Sequence, residues 1–399
     1  MDCSLYIHIP FCISKCAYCD FFSKACGKSA DSSKALVDDD YIEALCREIE
    51  CRISLNQIKN LTSIYVGGGT PSLLSPDQFN KIFSRIGKCL TLAPDLEITV
   101  EVNPDDVNEA LLDALEACGV TRISCGIQSM NDEVLKRACR RSDAAMNKKA
   151  LSLLKNKWRG ELSLDLISGL PGDDKESLLE SLEYICRQKP DHISLYSLTL
   201  EENTPFGKEM ERGSLNYDFD KADQLWIYGR DFLEKCGYSW YEVSNFCLPG
   251  KECRHNLGYW NHKNYLGCGS GACGTLYNKD GSGLRWTNTT DIEEYKRWWL
   301  GQEPGQFSQT SSLMQAPQTG ESIDLSTSQF EFFMMGLRKI RGVSEKEYKW
   351  LFGQNFPEHF LYLFNKWELK GLCIRGDDGN YAMSRQGMLF LNRFLEELF

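Results

Sequence analysis

The chain has 399 residues, 18 of them Cys, with 42% hydrophobic and 25% charged residues and a formal net charge of −11. That length holds one large domain and a smaller one, and the composition excludes global disorder and a small disulfide scaffold. The negative charge argues against binding nucleic acid through its phosphates, no apolar run reaches the ~20 residues of a membrane helix, and the N-terminal MDCSLYIHIPFC lacks the basic and apolar regions of a secretory signal, so a cytoplasmic protein is expected.

The first predicted strand, residues 5–9, leads into Cys12, Cys16 and Cys19, spaced C-x3-C-x2-C. Zinc wants a fourth ligand at matching spacing. Cys26 could supply one, but the tight three-Cys loop suits a [4Fe–4S] cube better, with three irons held by thiolates and the fourth open to a non-protein ligand. Most other cysteines, Cys46, Cys125 and Cys373 among them, stand singly and read as small core hydrophobes. An amphipathic helix starts near Asp38, with Ile42, Leu45, Cys46, Ile49 and Ile53 on one face and acids at its start, where the dipole favours them.

Predicted strands at 63–66, 97–102, 121–127, 162–168 and 192–200 then alternate with helical patterns. The helices open on cap-type or acidic residues, at Ser75-Pro76, Pro104-Asp105-Asp106, Asn131-Asp132, Ser142-Asp143 and Asp173-Asp174. Repeated βα units imply a parallel sheet with right-handed crossovers. Six units are fewer than a full (β/α)8 barrel, so the expectation is an α/β fold, a partial (β/α)6 TIM-like barrel, with its site at the C-terminal strand ends. Those ends carry Gly67-Gly68-Gly69-Thr70-Pro71, where glycines let a ligand approach the backbone, and Glu101, whose carboxylate can accept from ribose hydroxyls. Gln128 ends the fourth strand, and Asp165 puts a charge in the apolar fifth, which is costly unless paired or facing a ligand. Arg140 is read as a partner for Asp165 or for a carboxylate on the ligand.

Residues 304–321, rich in Gln, Ser, Thr, Pro and Gly, read as a linker. Helical patterns follow at 329–340, 345–352 and 359–370, then a hairpin around Asp377-Asp378-Gly379-Asn380 and a final helix, 384–398. Helices followed by a hairpin suggest a winged-helix arrangement. From Asp324 on there are ten Lys/Arg and ten Asp/Glu, which is no basic footprint, so DNA is not the expected partner. The organisation expected is a barrel at 1–235, a segment packed on it at 236–303, a linker at 304–322 and a C-terminal winged-helix-like domain at 323–399.

Tyr-Ile-His-Ile-Pro-Phe-Cys, then Cys-Ala-Tyr-Cys-Asp-Phe, GGGTP, EVNP, GIQS and DLISGLP stand in the order of the oxygen-independent coproporphyrinogen III oxidase family of radical S-adenosylmethionine (SAM) proteins, and the chain resembles that family over nearly its whole length. The resemblance implies a [4Fe–4S] cluster on Cys12, Cys16 and Cys19 and SAM held by Tyr6, Tyr18, Gly68, Gly69 and Glu101. Gln128, Arg140 and Asp165 correspond to contacts with a second SAM in the oxidases. Within the family, Phe21 stands where the oxidases carry a further Cys, and the first ligand comes early, at Cys12. Residues 255–260, His-Asn-Leu-Gly-Tyr-Trp, match the HNxxYW motif of the family's heme-chaperone branch. The resemblance therefore implies heme binding by His255 with Tyr259 and Trp260, and neutral imidazole beside flat aromatics suits heme iron. His262 and Cys253 are rival ligands. Delivery of heme to acceptor hemoproteins such as respiratory enzymes, a homodimer, and transient membrane contact through a partner are further expectations. The alternatives are oxidative decarboxylation of coproporphyrinogen III and radical chemistry on another substrate.

Overall fold

A computed structural model describes residues 1–26, 37–301, 313 and 315–398. Part of the expected linker, 304–312 and 314, lies outside the described residues. The strands in chain order are β1 (Asp2–Ile9), β2 (Phe11–Cys12), β3 (Lys24–Ala25), β4 (Asn60–Gly68), β5 (Glu97–Val102), β6 (Arg122–Gln128), β7 (Glu161–Ser168), β8 (His192–Ser197), β9 (Ser239–Glu242), β10 (Asn245–Cys247), β11 (Tyr265–Cys268), β12 (Cys273–Tyr277), β13 (Gly283–Asn288), β14 (Gln318–Ile323), β15 (Cys373–Arg375) and β16 (Tyr381–Met383). The helices are α1 (Asp39–Leu55), α2 (Pro76–Cys89), α3 (Glu109–Ala117), α4 (Asp132–Arg137), α5 (Ala144–Lys157), α6 (Lys175–Gln188), α7 (Pro205–Glu211), α8 (Phe219–Lys235), α9 (Arg254–Trp260), α10 (Ile292–Gly301), α11 (Leu325–Gly336), α12 (Glu345–Phe352), α13 (Glu358–Glu368) and α14 (Leu391–Leu398).

β1, β4, β5, β6, β7 and β8 pair in parallel in that order, with a helical crossover from each to the next, and make the partial barrel. Most of the caps that the sequence marks close these helices: Ser75 forms a capping box with Gln78, and Asn131, Asp143 and Asp174 accept from the first turns of α4, α5 and α6. Pro104-Asp105-Asp106 instead forms a 3-10 turn, and Asn108 caps α3.

Two expectations are refined. The strands of the 236–303 segment extend the same sheet, while its helices α9 and α10 pack on β4 and α1. β10 and β9 add antiparallel strands beyond β8, while β11 pairs in parallel with β1 and leads into β12 and β13. The stretch expected as linker also supplies β14, the outermost strand, paired with β13 through Gln318–Ile323. An edge strand with one row of unpaired backbone groups tolerates polar composition, so its Gln-Thr-Gly-Glu-Ser sequence reads as a loop.

The C-terminal helices and the β15–β16 hairpin form a winged-helix-like unit with a core of its own, centred on Phe333, Tyr348, Phe360 and Phe394. The last helix is shorter than expected: α14 begins at Leu391, after a 3-10 turn at Gly387–Phe390. The unit abuts the sheet through Lys339 bridging to Glu242, through Val243 N–H donating to the Arg338 carbonyl, and through Ile340 N–H donating to the Tyr241 carbonyl.

Candidate functional site

Side chains alternate across a strand, so the register assigns each residue of the barrel to one of two faces. The helix-facing set is apolar: Ile7 and Ile9, Ile64 and Val66, Ile98 and Val100, Ile123 and Cys125, Leu164 and Leu166, Ile193 and Leu195. The opposite set is polar. Ser4, Tyr6 and His8 align with Ser63, Tyr65 and Gly67, and Ser63 and Tyr65 with Glu97 and Thr99; Glu101 aligns with Ser124, Ser124 with Ser163, and Asp165 with Ser194. Parallel sheets buried on both faces usually read as continuous apolar runs. A polar inner face marks a lumen built for polar ligands.

At the C-terminal mouth, β1 ends at Ile9 and the chain enters the cysteine loop. The two-residue strands β2 and β3 close that loop, with Lys24 N–H on the Pro10 carbonyl and Cys26 N–H on the Cys12 carbonyl. Ala17 N–H donates to the Ala138 carbonyl at 3.0 Å and fixes the loop to the barrel. Cys12, Cys16 and Cys19 are half-buried. Thr70 Oγ1 donates to Cys12 Sγ at 3.4 Å, and the Arg140 guanidinium to Cys16 Sγ at 3.5 Å. Among the described residues no three His, Cys, Asp or Glu side chains converge as ligands of one metal ion. Ligands of an iron–sulfur cube each bind a different iron and need not converge. Three thiols on one loop, two of them already met by donors suited to thiolate, fit the cube.

Beside this loop the glycine turn allows close approach. Gly68 has φ +112°, and a Cβ there would lie 2.6 Å from the His8 ring; at Gly69 it would lie 2.6 Å from the Phe11 carbonyl. His8 Nε2 donates to the Phe22 carbonyl at 2.9 Å, so its Nδ1 accepts from the Tyr6 hydroxyl at 2.8 Å. Glu101 accepts from the Tyr65 hydroxyl at 2.8 Å and from Gly68 N–H at 3.1 Å, and burial lifts its carboxyl to about 7. Tyr18 is enclosed beside Arg140 and Cys16, and burial raises its phenol. Gln128 sits at a bulge with φ +66°, its Oε1 buried without a partner. Asp165 accepts from Ser124 Oγ at 2.8 Å, and burial raises its carboxyl. Arg140 departs from expectation. It is held by Asn103 Oδ1 at 3.1 Å and the Gly126 carbonyl at 2.7 Å, besides Cys16, not by Asp165. Asp165 is satisfied by hydroxyls, which leaves it no need of a cation.

The glycine-rich loop 267–272 reaches the same mouth. A Cβ at Gly269 would lie 2.4 Å from the His8 carbonyl, and one at Gly271 2.5 Å from the Phe22 ring. Glu48 of α1 anchors this loop, accepting Gly269 N–H at 2.7 Å and the Tyr295 hydroxyl at 2.6 Å, with Arg52 paired to it at 2.6 Å. Sequence reading missed Glu48 and Arg52, because both sit on a helix face whose apolar pattern is complete without them.

His255 lies at the other end of the barrel. Its helix α9 is pinned by Glu97, whose carboxylate accepts Arg254 N–H at 3.0 Å and His255 N–H at 2.8 Å. The imidazole enters the lumen and stacks on Tyr65 at 5.0 Å. One ring nitrogen bonds Ser63 Oγ at 2.8 Å and the other the Tyr259 hydroxyl at 2.9 Å, and burial pushes its pKa down to about 3. Ser63 is five residues before Gly68 on β4, so His255 sits about 16 Å below the glycine turn at ~3.3 Å per residue. As placed, His255 offers no free nitrogen to an iron. Trp260 does not join it; that ring faces Arg338 of the C-terminal unit at 5.7 Å. Among the rivals, Cys253 is buried against Glu97 and its thiol pKa is raised, which disfavours a thiolate ligand. His262 stacks on Tyr277 at 3.8 Å and bonds Ser328 Oγ at 3.0 Å, with Nδ1 buried and unpartnered. The signal that would have found Glu97 and Ser63 is the every-second-residue polarity of Glu97, Thr99, Glu101 and of Ser63, Tyr65, Gly67.

Residues 6–185 match the family model of the radical SAM superfamily, and residues 325–390 that of the HemN C-terminal domain. The chain is 34% identical over 345 residues to the heme chaperone HemW of Escherichia coli (strain K12), covering 86% of this chain and 85% of that one. It is 35% identical over 372 residues to the heme chaperone HemW of Lactococcus lactis subsp. lactis (strain IL1403), covering 91% and 89%. The solved structure of coproporphyrinogen III oxidase (HemN) from Escherichia coli superposes with a TM-score of 0.78 at 20% identity, covering 100% of this chain and 90% of that one. At that identity the likeness concerns the fold. Membership of the radical SAM superfamily implies a [4Fe–4S] cluster and SAM.

Proposed function

The chain belongs to the HemW family of radical SAM proteins, and on that premise we propose that it is a heme chaperone, binding heme and passing it to acceptor hemoproteins. The observation that carries this reading is identity of 34% and 35% to named heme chaperones over most of both chains. The oxidase reading has only the shared fold behind it, and Phe21 stands where the oxidases carry a further Cys.

In this reading Cys12, Cys16 and Cys19 hold the cluster. Gly68 and Gly69 take the methionine part of SAM and Glu101 its ribose, with Tyr6, Tyr18, Gln128, Arg140 and Asp165 lining the rest. When bound, such a cluster can supply one electron to SAM. The chain's own part is to seat SAM against the glycine turn, keep a buried carboxylate for the hydroxyls, and enclose the mouth with Phe22 and the 267–272 loop. His255, Tyr259 and Trp260 serve the heme. For His255 to meet an iron, the Tyr259 bond is the one to give up. Ser63 then keeps the second nitrogen and orients the ring, as partners of metal-bound imidazoles do. Acceptors among respiratory hemoproteins and a homodimeric form belong to the same proposal. No helix among the described residues is long and apolar enough to cross a membrane, so membrane contact would come through a partner.

The test is heme titration of anaerobically reconstituted protein, followed at the Soret band, for wild type and His255→Ala. Saturable binding that is lost or spectrally shifted in the variant is the expected result. Identical binding by the variant moves the ligand to His262. No binding by the wild type overturns the chaperone.

A further inference from the structure

Two of the three cluster cysteines are reached by donors that meet at one amide. Thr70 Oγ1 donates to Cys12 Sγ at 3.4 Å, and Arg140 donates to Cys16 Sγ at 3.5 Å. Between them stands Asn103, two residues after Glu101 in Glu-Val-Asn-Pro. Its Oδ1 accepts from Arg140 at 3.1 Å, and its Nδ2 donates to Thr70 Oγ1 at 3.3 Å.

The polarity of this chain is forced by chemistry. A guanidinium has donors and no acceptor, so it must face Oδ1 of the amide. That orientation leaves Nδ2 for Thr70. A hydroxyl has one proton; with its oxygen receiving from Asn103, that proton is directed to the Cys12 sulfur. The backbone holds the amide in place, with Asn103 N–H on Ser72 Oγ at 3.2 Å and Pro104 following to fix the turn. One side chain thus orients a neutral donor on one sulfur and a cationic donor on another. Chains of this kind polarise their members cooperatively.

We propose that Asn103 is a positioning residue that sets the reduction potential of the iron–sulfur cluster, by aiming Thr70 and Arg140 at Cys12 and Cys16. This inference rests on the reading that Cys12, Cys16 and Cys19 carry a [4Fe–4S] cluster. Hydrogen bonds to ligand sulfurs and nearby positive charge withdraw electron density, and so favour the reduced form, which carries one more negative charge. Removing the amide frees the Thr70 hydroxyl to turn away and loosens Arg140. The reduced cluster is then the poorer state, and the potential falls.

The experiment compares wild type, Asn103→Ala, Thr70→Val and Thr70→Ser after anaerobic reconstitution. Iron and sulfide are counted first. A wild type that takes up no cluster sinks the underlying reading, and the positioning role with it. Given a full cluster, the midpoint potential is read by a redox titration followed with EPR. Asn103→Ala and Thr70→Val should lower it, and Thr70→Ser, which keeps the donor, should restore the wild-type value. At the wild-type midpoint the ratio of reduced to oxidised cluster should drop severalfold, a tenfold drop corresponding to ~59 mV for one electron. A residue that merely supports the loop would change cluster content and leave the midpoint of the loaded fraction unmoved. If Asn103→Ala fails to hold a cluster, Thr70→Val decides: a lowered midpoint upholds the role, and an unchanged one overturns it.

Discussion

The buried imidazole of His255 shows how much a single side chain can owe to distant partners. Its two bonds come from Ser63, 192 residues away in sequence, and from Tyr259, four residues on. Only the second was legible in the sequence, since a helix brings i and i+4 together. Ser63→Ala leaves one ring nitrogen buried without a partner, and a buried unsatisfied group costs about 1–3 kcal/mol. The urea midpoint should fall accordingly, with the slope unchanged; an unaltered midpoint would show that the ring relaxes without cost. The cysteines lie at the opposite extreme. Their meaning is carried by spacing within eight residues, so the triplet was readable at once. Of the two partners expected for Arg140, Asp165 is not the one it meets; it donates to Cys16, Asn103 and the Gly126 carbonyl instead. Polar residues on neighbouring strands cannot be matched from sequence, and the hydroxyls of Ser124 and Ser163 that satisfy Asp165 looked like ordinary strand residues.

At the scale of elements, α9 depends on a strand for its existence. Seven residues are too few for a helix to persist on its own, and it has no side-chain cap at Cys253. Glu97 at the start of β5 does that work, taking two of its first N–H groups while pairing with Arg122 at 3.5 Å. Glu97→Ala should therefore cost about 3 kcal/mol, the low end for a broken buried pair, because Arg122 retains Glu161. Circular dichroism and denaturant titration check the stability. Hydrogen exchange should show α9 opening ahead of the barrel strands, and uniform exchange across both would contradict the anchoring. The six βα units were legible because each strand pairs an apolar helix-facing side with its own capped helix. β14 was not, since an exposed edge carries no apolar signal, and neither were β11 to β13, whose place beside β1 depends on pairing across more than 250 residues.

For the molecule as a whole, four imidazoles are buried, those of His8, His192, His255 and His262, and burial lowers the pKa of each. Burial holds His192 and His255 at about 3 and His262 at about 4, against an ordinary 6.5. Between those values the unfolded chain binds protons that the folded one refuses. Their contribution to stability is thus full above pH 6.5 and falls as pH drops below it, by at most about 1.4 kcal/mol per pH unit for each histidine. The buried carboxyls of Glu101 and Glu242, lifted to about 7, act in the opposite sense over the same window, so the readout is a variant: His262→Gln should raise the urea midpoint at pH 5.0 relative to that at pH 7.5, and an unchanged difference between the two would mean that this ring does titrate in the fold. A last consequence belongs to the barrel's height. The glycine turn and His255 occupy opposite mouths, about 16 Å apart at ~3.3 Å per strand residue, and Tyr65 spans them, stacked on His255 and bonded to Glu101. With heme at His255 and SAM at the glycine turn, as proposed, the two are anchored at different ends of the barrel. Any influence between them is a thermodynamic linkage: whatever factor SAM imposes on heme affinity, heme must impose on SAM affinity. With both ligands placed as proposed, the grip on heme can be set by SAM occupancy alone.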